Sequence, residues 1–560
     1  MGLSRRFQPL MLLLVASLHL AACSLASSQG DSQSNFQPTS PASTQISPPS
    51  SPSQTLEQTN VSPGPGQAPT SQPSNPTAIA PASPGVLAAC SLQDQATAMM
   101  DAQIPDWGSL GLSTCYDLTL DLDLEPNGYS GAARITYTNL TGVALADLVL
   151  RTYPNAERIY AGRLEISAAG VNGEPVKMEV FLPDGTAVRL LLPDSLAAGD
   201  SAVIDLEFSG EFTRNFGQFG AYGVFNYVSA EEVLTLANWY PMVAPWIDGD
   251  WDADAVIGIG DAVVSETSLY QVRVSAPAGW QIVTTGSSIL QEQIDGNMRE
   301  TFVSGPARDF IVSASPNFVL SEARADGVLI RHWGLADGED RWDEALQTTV
   351  NALTLFNQRF GIYPYTELDV VQVPLQLAAG VEYPGVFLIG DSQYEANAES
   401  PFLLGIVVSH EAAHQWWYGV VGNDVLDDPW QDEALATFSS LLYQQEHQPG
   451  VYPGTLRFYR ERVSELDAAP NDAAVDQSLE AFRKRPELYS PIVYTKGALF
   501  FVELRDRLGD EAFFGALQAY YASNQYKIAA PGELLSAFES ACSCELDEFY
   551  AEWGIRASDQ

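Results

Sequence analysis

The sequence predicts a multi-domain β plus α protein, in which a mainly β N-terminal domain is followed by a mostly helical α+β domain. Its 560 residues exceed what one hydrophobic core usually holds, so two or more domains are expected. Runs that alternate between polar and apolar residues continue to about residue 307, whereas apolar residues beyond Asp337 recur at helical spacing. Because strand and helix patterns occupy different parts of the chain, we expect successive domains.

The N-terminal segment predicts export followed by a tether. Two arginines precede the apolar run Leu10 to Ala22, and residues 20–23, Leu-Ala-Ala-Cys, resemble a bacterial lipobox. We therefore expect residues 1–22 to be a lipoprotein signal peptide and Cys23 to carry lipid, which would anchor the protein on the extracytoplasmic side of a bacterial membrane. An ordinary secretory signal is the alternative. Residues 23–88 are rich in Ser, Pro and Gln, so they are expected to form a disordered tether.

The charge balance excludes one class of partner. The chain carries 70 acidic and 27 basic residues, which gives a net charge of −43. Such a surface repels nucleic acid and anionic lipid, so we do not expect nucleic-acid binding.

The remaining four cysteines predict disulfides, because an even number outside the cytoplasm favours pairing. They are Cys90, Cys115, Cys542 and Cys544. Proximity along the chain favours a bond between Cys90 and Cys115, but pairing across to the C-terminal cysteines stays open.

The β domain is predicted at residues 89–308 and the helical domain at 309–560. Strict alternation over residues 117–124, 204–208 and 270–274 predicts half-buried strands. In the second domain, apolar residues at helical spacing from Trp342 to Phe356 predict a helix that ends at Gly361, and residues 368–373 predict a strand.

Two histidines are spaced to share a metal ion. His410 and His414 belong to an apolar stripe with Leu403, Val407 and Trp417 that predicts a helix, on which the histidines lie one turn apart on one face. A catalytic zinc takes three protein ligands and keeps a fourth position for water. The His-Glu-x-x-His pattern therefore predicts a zinc site, although such a short pattern also arises by chance on ordinary helices.

The third ligand is expected to be a carboxylate, because the other three histidines have no metal-type spacing. Glu433 opens the next apolar-periodic segment. Asp428 and Pro429 suit the N-cap and the first residue of a second helix, which could cross the first and bring Glu433 to the metal. Glu411 follows the first histidine directly, so its carboxylate is turned away from the ion. It is predicted to act as the general base on a water whose pKa zinc lowers to about 7.

These residues resemble the zinc signature of the aminopeptidase N family, gluzincin metallopeptidases of the membrane alanyl aminopeptidase type. The signature is His410-Glu411-x-x-His414, eighteen intervening residues and then Glu433. Three further segments agree with it. They are Trp239-Tyr240-Pro241, like the family's Tyr-Pro segment; Ala379-Gly380-Val381-Glu382-Tyr383-Pro384, similar to Gly-x-Met-Glu-Asn; and Tyr494-Thr495-Lys496-Gly497, similar to Tyr-x-Lys-Gly.

The resemblance implies a saddle-like form for the β domain and a thermolysin-like form for the zinc peptidase domain. It also implies roles for four residues. Glu382 would hold the free amino group of the substrate, with Gly380 in the same substrate-binding segment. Tyr494 would stabilise the oxyanion, and Tyr489 would line the substrate pocket.

The sequence departs from the family pattern in three places. Tyr383 stands where the family usually has Asn, and Val381 where it has Met. The chain ends about 65 residues after Tyr494, which indicates a short form without the family's C-terminal helical domain.

The function expected from these observations is that of an aminopeptidase with one Zn²⁺ ion, which removes N-terminal residues from peptides with a free amino terminus. Two alternatives remain at this point. One is a zinc endopeptidase of the same architecture, because the expected cap is missing. The other is a surface lipoprotein that binds peptides without catalysis.

Overall fold

The structure, a computed structural model, describes residues 86–216, 222–395, 402–468 and 473–556. The predicted signal peptide, Cys23 and the predicted tether up to residue 85 lie outside the described residues. The last three residues assigned to the tether, 86–88, instead lie in a short helix, Val86–Ala89.

An eight-stranded sheet forms the frame of the N-terminal part. Its strands, in spatial order, are Ser287–Ile294 (β7), Asn297–Val303 (β8), Leu269–Pro277 (β6), Thr114–Asp123 (β1), Gly128–Thr138 (β2), Ser201–Glu211 (β5), Arg163–Val171 (β3) and Glu174–Pro175 (β4). The central strand β1 pairs parallel with β6 and antiparallel with β2. All three runs predicted as half-buried strands lie in this sheet, and the alternation that predicts β1 places Leu118 and Leu120 in the core with no exposed surface.

Three smaller sheets complete this part. A five-stranded sheet runs Gln281–Thr284, Val312–Ser315, Val233–Leu236, Phe225–Val228 and Thr213–Arg214. A four-stranded sheet runs Met242–Val243, Leu145–Arg151, Ala187–Leu196 and Met178–Val180, and Trp246–Ile247 pairs with Asp250–Trp251. Aromatic side chains fill the core between the sheets; Tyr116 stacks on Tyr270 with ring centroids 4.9 Å apart.

The second part has its own five-stranded sheet and most of the helices. The strands, in spatial order, are Val319–Ala325, Val328–Gly334, Glu367–Val373, Val386–Gly390 and Gly380–Tyr383. The helices, after a short N-terminal helix Leu92–Thr97, are Trp342–Arg359, Leu403–Ala413, Pro429–His447, Tyr452–Ala468, Leu479–Phe482, Gly497–Leu508, Asp510–Asn524, Pro531–Cys542 and Asp547–Glu552. The fold class is therefore as predicted. The chain leaves the sheets of the first part after Ser315 and enters the sheet of the second at Val319.

The helix that carries the two histidines is shorter than the apolar stripe predicts. It ends at Ala413, with His414 at its C-cap, so Trp417 lies in the turn that follows. That turn folds back on the helix, because the Gly419 amide donates to the His414 carbonyl at 2.8 Å and Tyr418 has a φ of 114°.

Arg308 joins the two parts beside this turn. Its buried guanidinium donates to the carbonyls of Tyr418 (2.7 Å), Ser265 (3.1 Å), Val420 (3.4 Å) and Lys527. A buried cation that has carbonyl partners on both parts fixes their relative position, because a carbonyl left without a donor there would be costly.

The four cysteines pair locally, as Cys90 with Cys115 and Cys542 with Cys544. The bond favoured from the sequence is therefore present, and pairing across the chain does not occur. None of the helices in the described part of the chain combines the length and the apolar composition that a membrane span needs.

Candidate active site

Two crossing helices supply the three predicted metal ligands. The first, Leu403–Ala413, carries His410 and presents His414 at its end; the second, Pro429–His447, carries Glu433. Asp428 and Pro429 occupy the N-cap and the first helical position, as predicted, although the Asp428 side chain makes no capping bond. Glu433 lies one turn into the second helix, where almost every residue of the first three turns is buried, so both helices are held rigidly by packing.

The donor atoms of these ligands converge on one point. The Nε2 atoms of His410 and His414 are 3.2 Å apart. Glu433 Oε2 lies 3.3 Å from the first of these nitrogens and 3.6 Å from the second. The three ligand atoms therefore surround a single small volume at which one cation can contact all of them.

The hydrogen bonds of His414 show that its lone pair faces this volume. Its Nδ1 lies 2.7 Å from Asp432 Oδ1 and 3.1 Å from the Trp417 carbonyl, and both of these atoms are acceptors. The ring proton must therefore be on Nδ1, which leaves Nε2 as a metal ligand. Asp432 is the carboxylate that orients this zinc-binding histidine, and it was not among the site residues predicted from the sequence. Its position directly before Glu433 was the available signal.

The donor set fits zinc. Two imidazole nitrogens and one carboxylate are a common ligand set of catalytic zinc sites, and His414 already has the outer carboxylate partner that such ligands usually need. Burial acts to raise the pKa of Glu433, but the two histidines lower it well below its ordinary value, so this ligand is anionic. The residues present would hold one zinc ion through His410, His414 and Glu433.

Glu411 lies beside the metal site and is packed against the Gly380 backbone. A β-carbon at position 380 would be 2.4 Å from Glu411 Oε1, so only glycine leaves room for this carboxylate. Burial raises the pKa of the Glu411 carboxyl to about 8. Its Oε2 atom has no hydrogen-bond partner among the described residues, so it can accept a proton. Gly380, predicted to contact substrate, also positions the predicted base.

Glu382 faces the same cavity from an edge strand. It is on Gly380–Tyr383, which pairs only with Val386–Gly390 in its sheet. Gln415 fixes this strand to the metal helix, because its Nε2 donates to the Tyr383 carbonyl at 3.0 Å and its Oε1 accepts from the Gly385 amide at 2.8 Å. Burial raises the pKa of Glu382 well above its ordinary value. Such a carboxylate gains from a cationic ligand that replaces the lost water.

Tyr494 contacts two of the metal ligands, and Tyr489 packs against Tyr494. The Tyr494 ring stacks on His410 with centroids 5.9 Å apart, and its hydroxyl donates to Glu433 Oε1. The Tyr489 ring packs edge-on against Tyr494 at 5.7 Å. Gly497 lets the following helix approach Ala434 closely, since a β-carbon there would be 2.5 Å from Ala434 Cβ. Tyr494 is therefore within reach of the metal centre, and its role at the oxyanion stays a prediction.

The three metal ligands and the other predicted site residues line one cavity of about 190 Å³; the latter are Gly380, Glu382, Glu411, Tyr489 and Tyr494. Leu403, Ile406 and Val407 form part of an apolar wall. The cavity also contains Asp261 and Tyr222, which the sequence analysis missed. Asp261 belongs to an irregular segment between strands, and no motif or periodicity marks it in the sequence.

Comparison with known protein families gives one match over the second part of the chain. Residues 344–553 match the model described as the peptidase family M1 domain. Relatives match over a longer stretch. "Aminopeptidase M1" of Arabidopsis thaliana is 23% identical over 467 residues, which cover 78% of this chain and 49% of that protein. "Endoplasmic reticulum aminopeptidase 1" of Homo sapiens is 21% identical over 425 residues, which cover 73% and 44%. This chain thus spans about half the length of these curated relatives.

Two solved structures align with this chain over almost the whole of their own length. A crystal structure of an M1 zinc metallopeptidase from Deinococcus radiodurans aligns with a TM-score of 0.58 at 20% identity, over 81% of this chain and 96% of that chain. The E323A mutant of an M1 zinc metallopeptidase from the same organism, bound to a Tyr-Ser-Ala substrate, aligns with a TM-score of 0.57 at 18% identity, over 80% and 95%. These likenesses show that this chain has the two-domain M1 fold.

Asp432→Ala is expected to weaken zinc binding by about 10- to 100-fold, because His414 loses the carboxylate that fixes its tautomer and orientation. Titration of the apoprotein against a competing chelator measures this affinity. Glu446→Gln is the matched control, because Glu446 is exposed near the C-terminal end of the same helix. Equal zinc affinity in wild type and Asp432→Ala would contradict the role given to Asp432.

Proposed function

We propose that this chain, which carries a peptidase family M1 domain at residues 344–553, is a zinc-dependent aminopeptidase that removes residues from the free amino terminus of peptides. One observation carries the proposal: a zinc-type donor set, a carboxylate with an unused oxygen and a second buried carboxylate line the same cavity. The first group suits metal-assisted hydrolysis, the second suits proton transfer, and the third suits a substrate ammonium.

The cavity residues have separate roles in binding the metal, transferring the proton and stabilising the oxyanion. His410, His414 and Glu433 would hold zinc, which when bound polarises the scissile carbonyl and lowers the pKa of water. Glu411 accepts the proton of the attacking water on Oε2 and then gives it to the leaving amine. Tyr494 can turn its hydroxyl from Glu433 towards the carbonyl oxygen, where one donor contributes about a hundredfold or more in rate.

Glu382 provides the preference for a free amino terminus. It is 8% exposed, and the residues that line the cavity in the described part of the chain include no lysine or arginine. An ammonium group from the substrate would therefore be its cationic partner. A charge-assisted hydrogen bond contributes about 1.5–3 kcal/mol, which corresponds to about ten- to a hundredfold between free and blocked substrates.

We further propose that the protein is exported and attached to a membrane through lipid on Cys23. The support is the arginine pair, the apolar run and the Leu-Ala-Ala-Cys ending in the sequence. The net charge of −43 works against adhesion of the folded part to anionic lipid, so attachment would depend on this segment. This places the peptidase outside the cytoplasm, facing extracytoplasmic peptides.

Glu411→Gln is expected to lower kcat by about 10²–10⁴-fold with zinc content unchanged, because the amide retains the shape of the base but cannot take a proton. Hydrolysis of aminoacyl amides, with the zinc content of both proteins, measures this. A chelator should abolish wild-type activity, and added zinc should restore it. A wild type no faster than Glu411→Gln would favour a peptide-binding protein without catalysis.

Blocking the substrate amino group is expected to reduce kcat/KM by about ten- to a hundredfold, because Glu382 then loses its cationic partner. The experiment compares Ala-Ala-Ala with its N-acetylated form. Glu382→Gln should lower the rate on the free peptide and leave the slow rate on the blocked one unchanged. Glu461→Gln, an exposed carboxylate on Tyr452–Ala468, is the control. Equal rates on both peptides in wild type would indicate an endopeptidase.

Cys23→Ser is expected to move the protein from the membrane fraction to the soluble extracytoplasmic fraction and to remove incorporation of labelled fatty acid. The neighbouring change Ser24→Ala is the control and should leave both unchanged. Expression in a bacterial host, followed by fractionation, tests this. Labelling that persists in Cys23→Ser would exclude this cysteine as the attachment site.

A further inference from the structure

Asp261 is a cavity carboxylate that the proposed mechanism does not use. It comes from the irregular connection between Asp250–Trp251 and Leu269–Pro277, in the β part of the protein. Gly260, the residue before it, has a φ of +61°, a left-handed backbone conformation that favours glycine. The Asp261 side chain lines the same cavity as His410 and Glu382, so the β part contributes a charged group to the active site.

Among the described residues, no lysine or arginine side chain pairs with the Asp261 carboxylate. Its carboxylate makes no hydrogen bond or ion pair there, and the cavity lining of the described ranges contains neither lysine nor arginine. Its electrostatic neighbours are mainly other carboxylates, of which Glu382 has the largest effect. Burial, and then repulsion by Glu382, raise the pKa of Asp261 well above its ordinary value. A carboxylate in this position is stabilised by a cation that enters with the substrate.

Two tyrosines, Tyr489 and Tyr222, line the cavity together with Asp261. A β-carbon at Gly260 would be 2.3 Å from Tyr489 Oη, so the Asp261 segment is packed directly against the Tyr489 side chain. Aromatic rings beside a carboxylate attract lysine and arginine side chains, because the ring faces are electron-rich and the rings cover the apolar stem.

The other three cavity carboxylates already have roles. Glu433 is a metal ligand, Glu411 is next to it as the base, and Glu382 is assigned to the substrate's α-ammonium. An ammonium at Glu382 neutralises one charge and leaves Asp261 without a partner. A second positive charge on the same substrate would complete the neutralisation of this acidic cavity. Because the α-ammonium and the first side chain leave the same α-carbon, that charge belongs on the first residue.

We propose that Asp261 binds the side-chain ammonium or guanidinium of the first substrate residue, so that the enzyme prefers peptides beginning with lysine or arginine. This inference rests on the proposed aminopeptidase function. It assigns a specificity-determining residue to the β part, which is far from the zinc motif in the sequence.

Paired substrates of equal size isolate the side-chain charge. Arginine and citrulline p-nitroanilides have nearly the same shape, but only arginine is charged. Wild type is expected to show a kcat/KM ratio of about 10 to 100 in favour of arginine, as for a charge-assisted hydrogen bond. Asp261→Asn should bring this ratio close to one, with the citrulline rate within about threefold of wild type. Asp254→Asn is the control, because Asp254 is exposed on the same connection and does not line the cavity.

Each other result overturns the inference in a distinguishable way. If both substrates slow equally in Asp261→Asn while its melting temperature is unchanged, Asp261 acts on the α-ammonium and not on the side chain. If the wild-type ratio is close to one although citrulline is cleaved, the side-chain preference is absent and the aminopeptidase function stands. If wild type cleaves neither substrate, nor the alanyl and leucyl p-nitroanilides, the proposed function itself fails.

Discussion

The active site is organised by the convergence of His410, His414 and Glu433 on one small volume. Two nitrogen lone pairs and an anionic oxygen within 3.6 Å of each other repel unless a cation lies between them. The surrounding structure resists this repulsion. Both helices are buried, and the Asp432 carboxylate fixes the His414 ring from its other side. A folded protein that holds such an arrangement is prepared to bind zinc before the ion arrives.

The edge strand and the metal helix act as one unit in positioning the catalytic groups. Gln415 bonds to the backbone on both sides of Pro384, in the turn that follows the strand, and Gly380 of the strand makes room for Glu411. The proposed base and the proposed ammonium ligand, Glu382, are therefore held relative to each other by short backbone contacts. A displacement of the strand would move both groups, so binding of the amino terminus and proton transfer depend on the same contacts.

The β part is a component of the active site as well as a support for it. Arg308 bonds to Ser265, four residues after Asp261, and to the turn that follows His414. One buried guanidinium thus links the connection that carries Asp261 to the end of the metal helix. Both parts contribute carboxylates to the cavity, and its lining in the described ranges contains no lysine or arginine, so zinc and a cationic substrate would balance their charge.

The sequence by itself determined the local features of this protein. Alternation in β1, helical spacing from Trp342 to Phe356 and the His-Glu-x-x-His motif each depend on neighbours along the chain, and their periods follow from strand and helix geometry. The order of the β and helical parts and the zinc ligands followed from such signals. The end of the metal helix did not, because the turn at Tyr418 depends on contacts with Arg308 from the β part.

Only the tertiary structure decided which distant groups meet. Asp432 becomes an orienting group because two helices cross at a particular angle, and Gly380 becomes a support for Glu411 because a strand edge lies against a helix. Asp261 reaches the cavity from an irregular segment about 150 residues before the zinc motif. Such contacts leave no periodic trace in the sequence, since packing between elements, and not the spacing along one element, brings these side chains together.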